Sequence, residues 1–114
     1  PVLKTKANKS HVKKDAIYNP YENMFRRGFN TLMYRDNINL FDQILITSSL
    51  LDKGKKEYSS FKMFKSAIFN KQFLTEKKGR YKGYPFRSFS YGKYTGGYSD
   101  HYPVYMYLIK EKLN

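Results

Sequence analysis

A chain of 114 residues with 40% hydrophobic content is long enough for one domain or part of one, and its formal net charge of +13 sets up a strong positive field. Such a field favours polyanionic partners through long-range attraction. The absence of cysteine excludes a disulfide framework and any thiolate metal site, and no apolar run approaches the length of a membrane span.

Residues 1–16 hold five lysines, little apolar content and no period, which reads as a basic arm or a linker, with His11 solvated among the lysines. A helix follows. Asn19 is its N-cap, Pro20 its first helical position and Glu22 a capping-box partner three residues past the cap. Arg26 and Arg27 oppose the negative end of the helix dipole and Gly28 supplies a left-handed stop, so the helix is predicted over residues 20–27.

Residues 31–35 read as a brief strand, and Asp36-Asn37 as a turn. The run Leu40-Phe41-Asp42-Gln43-Ile44-Leu45-Ile46-Thr47 is apolar at both parities, which predicts a strand covered on both faces, as in a sandwich with helices outside. An ionised carboxylate there needs specific hydrogen-bond donors, because burying it unpaired costs several kcal/mol. Asp42 is therefore conspicuous.

Residues 48–56 form a polar connection turning at Gly54, and a strand-like segment follows within residues 58–69. Residues 71–98 hold five glycines and many basic and aromatic side chains with no sustained period, which predicts a long functional loop. The last strand runs from about Pro103 to Ile109, with proline tolerated at its opening.

Two apolar strands thus each carry a polar group to a place where polarity is expensive. A carboxylate accepting from one imidazole nitrogen fixes the tautomer and raises the basicity of the other, so Asp42 and His101 make a workable acid–base pair if they meet in space. Asp100 offers an oxygen ligand to a divalent cation. From spacing alone, a turn capped by Asp100 with His101 merely packed beside it explains the same residues.

Two strings add to this: Leu40-Phe41-Asp42-Gln43-Ile44-Leu45-Ile46-Thr47, and Ser99-Asp100-His101-Tyr102-Pro103-Val104 before the final strand. In this order they resemble the closing motifs of the endonuclease/exonuclease/phosphatase family, metal-dependent phosphoesterases. The resemblance implies an α+β fold, specifically the C-terminal half of a four-layer α/β/β/α sandwich of the deoxyribonuclease I type. Residues 17–114 would form that half, with residues 1–16 as the arm or linker.

It also implies roles. His101 would act at the scissile phosphate, as base for the attacking water or donor to the transition-state oxygens. Asp42 would orient it, and Asp100 would help place a Mg2+ or Mn2+ ion. The family's early metal-binding Glu and its Gly-Asp-x-Asn strand have no counterpart here, so most metal ligands are expected in an N-terminal half absent from this chain. This piece alone is then expected to be inactive. Gly83-Tyr84-Pro85-Phe86-Arg87-Ser88-Phe89 looks like a substrate-side loop of bacterial members, and Arg80, Tyr84, Arg87 and Tyr94 are candidates to grip a phosphate or stack on a ring.

The expected substrate is a phosphate ester: a nucleic acid, a phosphorylated small molecule or a lipid headgroup. A non-catalytic basic module that binds nucleic acid through residues 71–98 and the lysine arm accounts equally well for the charge, though not for Asp42. A degenerate family member kept as an interaction surface is a third reading.

Overall fold

The computed structural model describes residues 5–14 and 16–113. Its one α-helix among them, α1 (Tyr21–Arg26), starts and stops where the local chemistry dictates. The Asn19 side-chain oxygen accepts the Tyr21 N–H at 3.0 Å, satisfying a donor that has no partner inside the helix. At the other end Gly28 sits at φ +87°, while its N–H donates to the Phe25 carbonyl at 2.9 Å and that of Phe29 to the Met24 carbonyl at 3.1 Å. This paired closure requires a left-handed residue at position 28.

Nine strands accompany the helix among the described residues: β1 (Thr5–Lys6), β2 (Ile17–Tyr18), β3 (Leu32–Tyr34), β4 (Asn37–Asn39), β5 (Ile46–Thr47), β6 (Lys62–Ile68), β7 (Phe89–Ser90), β8 (Lys93–Tyr94) and β9 (Val104–Ile109). They form four small sheets, ordered β1-β2-β5, β3-β4, β6-β9 and β7-β8. The class is mixed helix and strand, in keeping with the predicted α+β.

The chain divides into two compact units. One comprises residues 1–23, 43–67 and 105–114. In it β1 pairs parallel with β2, and β2 antiparallel with β5, Tyr18 facing Ile46. Tyr18, Ile46, Leu51 and Met63 form its core, with Val12, Leu50 and Met106 packed against them. Tyr21 is fully buried, and its hydroxyl donates to the backbone carbonyls of Tyr105 at 3.1 Å and Ala67 at 3.4 Å.

The other unit comprises residues 24–42 and 68–104 and is built on two tight hairpins. β3 and β4 pair antiparallel with Tyr34 opposite Asn37, leaving a two-residue turn, Arg35-Asp36, with φ +48° and +63°. β7 and β8 do the same with Ser90 opposite Lys93, across Tyr91-Gly92 at φ +50° and +75°. Positive φ at both central residues makes these the turns whose twist matches that of the flanking strands. Gly97 lies so close to the preceding hairpin's entry that a Cβ there would stand 2.2 Å from the Arg87 carbonyl oxygen.

Several expectations are corrected. The run 40–47 is not a strand covered on both faces: only Ile46 and Thr47 pair, while Phe41 is 65% exposed. Its apolar residues alternate between buried and open positions instead, so one parity faces solvent. The turn predicted at Asp36-Asn37 falls one residue earlier, and Asn37 opens a strand. Residues 71–98 are not a featureless loop, since they carry a 3-10 turn at Gln72–Leu74 and the β7–β8 hairpin. The final strand leaves Tyr107, Leu108 and Ile109 exposed. Residues 1–4 and 15 of the predicted arm lie outside the described residues; within the rest, His11 is exposed at the end of a 3-10 turn and Thr5–Lys6 joins the first sheet.

Burial, and secondarily the nearby Tyr105, pushes the Tyr21 phenol up from 10.0 to about 12. The neutral phenol is the form that fits, so its contribution to stability is complete below pH 10 and is lost as pH rises through about 12. Tyr21→Phe is expected to lower the unfolding free energy by about 1 kcal/mol at neutral pH. Urea titrations repeated above pH 10 should show the parent losing stability faster than the variant; parallel losses would contradict the role given to this hydroxyl.

Candidate active site

The Ser-Asp-His turn is shaped by its own first residue. The Ser99 hydroxyl accepts the His101 N–H at 3.1 Å, folding the backbone so that the imidazole leaves the chain just before the strand begins. The next residue holds the turn down. Tyr102 is 4% exposed, its N–H donates to the Thr31 carbonyl at 2.7 Å, and its hydroxyl donates to the Gly83 carbonyl at 3.2 Å and lies 2.8 Å from that of Thr75. Burial pushes this phenol above its ordinary range, with the Thr75 hydrogen bond opposing. Beyond it the Pro103 carbonyl accepts the Phe69 N–H at 2.7 Å.

Asp42 is positioned from the same point. Thr31 is fully buried; its N–H donates to the Asn39 carbonyl at 2.9 Å, and its hydroxyl oxygen accepts the Phe41 N–H at 3.1 Å and the Asp42 N–H at 3.4 Å. One buried threonine therefore binds the segment carrying the acid through its side chain and the segment carrying the imidazole through its carbonyl. Between those segments Asp42 Oδ2 lies 2.6 Å from His101 Nδ1. The two side chains are 37% and 35% exposed, and the Phe41 ring stands 6.5 Å from the imidazole.

A carboxylate oxygen can only accept, so the hydrogen bond assigns a proton to Nδ1, and in the neutral ring this leaves Nε2 as the nitrogen with the free lone pair. That is the arrangement of an oriented base: Nε2 can take a proton from water or, once protonated, donate to an oxygen. Partial exposure of both groups lets a substrate reach it.

Asp100 is exposed beside this pair. No group of three or more His, Cys, Asp or Glu stands together among the described residues to hold a metal. Mg2+ usually keeps several waters and takes one or two protein carboxylates together with substrate phosphates, so Asp100 alone would supply only part of such a site. The described residues do not by themselves make a metal centre.

The predicted substrate residues lie in the same unit. Arg80, Tyr84 and Arg87 line a cavity of about 700 Å3 together with the Arg35-Asp36 and Tyr91 turns, whereas Tyr94 lies outside it with its ring 5.4 Å from Phe89. Asp42, Asp100 and His101 are not part of that lining. The Tyr84 ring is buried, and its hydroxyl donates to the Asp36 carboxylate while accepting the Asp36 N–H at 2.7 Å. The donated bond holds the Tyr84 phenol above its usual range, because ionising it would put two anions side by side. Arg87 donates to the Met33 carbonyl at 3.4 Å.

Thr31 and Tyr102 were not distinguishable in the sequence as residues of the site. Tyr102 fills the variable position of the Ser-Asp-His-x-Pro-Val string, and nothing local announces that Thr31 is buried.

Compared with known proteins, the chain matches the model of the endonuclease/exonuclease/phosphatase family over residues 1–110. The chain belongs to that family. Endonuclease/exonuclease/phosphatase proteins are hydrolases acting on phosphate esters, which makes a phosphoesterase-type function the frame for the Asp42–His101 pair. No curated protein matches the chain, and no solved structure does.

Thr31→Val keeps the shape and removes the acceptor, stranding the Phe41 and Asp42 N–H groups. Chemical denaturation should show a loss of about 1–3 kcal/mol, with Thr31→Ser losing less; a Val variant as stable as the parent would remove Thr31 from the framework.

Proposed function

We propose that this chain is the C-terminal portion of a metal-dependent phosphoesterase, a nuclease or phosphatase, in which His101 acts at the scissile phosphate and Asp42 orients it. The observation that carries the reading is the 2.6 Å contact between Asp42 Oδ2 and His101 Nδ1. Residues 59 apart in sequence meet with the correct ring nitrogen engaged, in a chain of a family that cleaves phosphate esters. A turn with His101 merely packed would leave no reason for that pairing.

In the proposed mechanism Nε2 takes the proton of the attacking water, or donates to a phosphoryl oxygen as charge grows on it. Asp42 holds the proton on Nδ1 throughout and stabilises the ring when it becomes cationic, in the way a buried carboxylate serves other histidine bases. Asp100, exposed and next to His101 in sequence, would offer a single oxygen ligand. Divalent metal chemistry, which would neutralise the phosphoryl oxygens, would depend on carboxylates outside this chain.

The fold proposed is half of a four-layer sandwich over residues 17–114, with the preceding basic segment tied to it through the Thr5–Lys6 strand. The β6–β9 sheet supports this: Phe64, Tyr107, Leu108 and Ile109 are exposed on it, and a two-stranded sheet is marginal by itself. The same domain's N-terminal half is the natural cover. A purely binding module remains the second reading, favoured by the +13 charge.

The test is hydrolysis by the complete domain with Mg2+ against DNA, RNA and phosphorylated lipids. His101→Ala is expected to lower turnover by about 10²–10⁴ with unchanged folding. Retained turnover would remove His101 from the mechanism, and turnover by the 114-residue chain alone would overturn the proposal that it is an inactive portion.

A further inference from the structure

The cavity beside the hairpins is built differently from the dyad. Its rim is set by two turns that place non-glycine residues in the left-handed region, Arg35 at φ +48°, Asp36 at φ +63° and Tyr91 at φ +50°. Left-handed backbone is unfavourable for an ordinary L-residue, and glycine or asparagine would relieve it. All three line the same cavity. Such strain persists where the surroundings hold it, and here they do. Tyr84 grips Asp36 next to Arg35 through two hydrogen bonds, and the Tyr91 hydroxyl lies 2.7 Å from that of Tyr81.

The chemistry of the lining is specific. Arg35, Arg80 and Arg87 supply guanidinium groups, and Tyr34, Tyr81, Tyr91 and Phe89 supply aromatic rings that range from 37% exposed at Tyr81 to 87% at Tyr91. The Arg35 guanidinium lies 5.2 Å from the Tyr34 ring centroid, and that of Arg80 5.9 Å from the Tyr81 ring centroid, so cation and ring are presented together. Two carboxylates also face inward. Asp36 is engaged by Tyr84, while Glu76 would repel a bare polyphosphate yet accept hydrogen bonds from the amino edge of a base. A ligand that satisfies all of these has a phosphate for the guanidiniums and a flat ring with N–H donors for the tyrosines and Glu76.

We infer that this cavity binds a nucleotide unit of single-stranded nucleic acid, with the phosphate on Arg80 and Arg87 and the base on the Tyr81–Tyr91 pair. Its volume of about 700 Å3 lies within the range of ligand clefts. Inorganic phosphate leaves the rings unused, and an anionic lipid surface is too flat to fill the cavity. The inference rests on the phosphoesterase reading only for what the bound strand is for, because it makes that strand a substrate held away from the cleaving histidine.

The test is isothermal titration of the full chain with a mixed-sequence single-stranded hexanucleotide, nucleoside monophosphates, inorganic phosphate, and phosphatidylserine vesicles. The hexanucleotide is expected to bind, monophosphates more weakly and phosphate weakest. Tyr91→Ala should lower strand affinity by about 5- to 150-fold, the range measured for loss of one base-stacking ring. Tyr91→Phe should retain most of it, and Arg80→Ala should lower it at least as much as a single phosphate contact.

Tyr91 and Arg80 are exposed, so neither substitution removes buried packing; a thermal melt confirms that the variants fold. The control is Lys55→Ala in the polar connection, with a change under about twofold expected if binding is local rather than general attraction by charge. Loss in Lys55→Ala as large as in Arg80→Ala, an unaffected Tyr91→Ala, or binding to vesicles without binding to the strand would each overturn the inference. Strand affinity of His101→Ala separates the two claims: a strand that binds while His101 proves dispensable for turnover leaves the cavity standing without the dyad, and the reverse result leaves the dyad without the cavity.

Discussion

Everything in the candidate active site is referred to Thr31. It is fully buried, with its hydroxyl oxygen receiving the backbone of Phe41 and Asp42 and its carbonyl receiving that of Tyr102. Backbone groups inside a protein must be paired, and these are paired to one residue rather than to neighbouring strands. The consequence is a short chain of constraints from threonine to acid and from threonine to imidazole. The 2.6 Å hydrogen bond between the last two then closes a ring of contacts within a single unit.

That arrangement explains how a small unit can hold two reactive side chains steady while leaving each about a third exposed. The precision comes from backbone hydrogen bonds and the packed Tyr102 ring, not from burial of the reacting groups. The neighbouring cavity is organised by the same means. Tyr84 fixes the Arg35-Asp36 turn from below, and Gly97 permits a close approach to the backbone of Phe86 and Arg87 that any side chain would block. In both places buried tyrosines act as struts, which accounts for part of the chain's twelve.

What the sequence disclosed was what local chemistry decides. The helix caps at Asn19 and Gly28 were readable because capping depends on residues within one turn of the end. The pairing of Asp42 with His101 was readable through two specific strings and a resemblance, not through spacing. The run 40–47 misled because an apolar strand pattern presumes partners on both faces, and here its Phe41 and Asp42 N–H groups go to a threonine side chain while one parity of the run is open to solvent. The hairpins in 31–39 and 89–94 were missed in whole or part because the first positions of their turns are Arg35 and Tyr91, where asparagine, aspartate or glycine is usual. Those are also the turns where the backbone is strained, so what obscured the fold is what marks the cavity.

The chemistry of the pair depends on the position of one proton. In the intact chain, two-dimensional nitrogen NMR of the His101 imidazole should report the neutral ring with its hydrogen on Nδ1 and none on Nε2, and Asp42→Ala should abolish that preference. A ring protonated on Nε2 in the parent, or a tautomer indifferent to Asp42→Ala, would contradict the pairing from which the chemistry is derived.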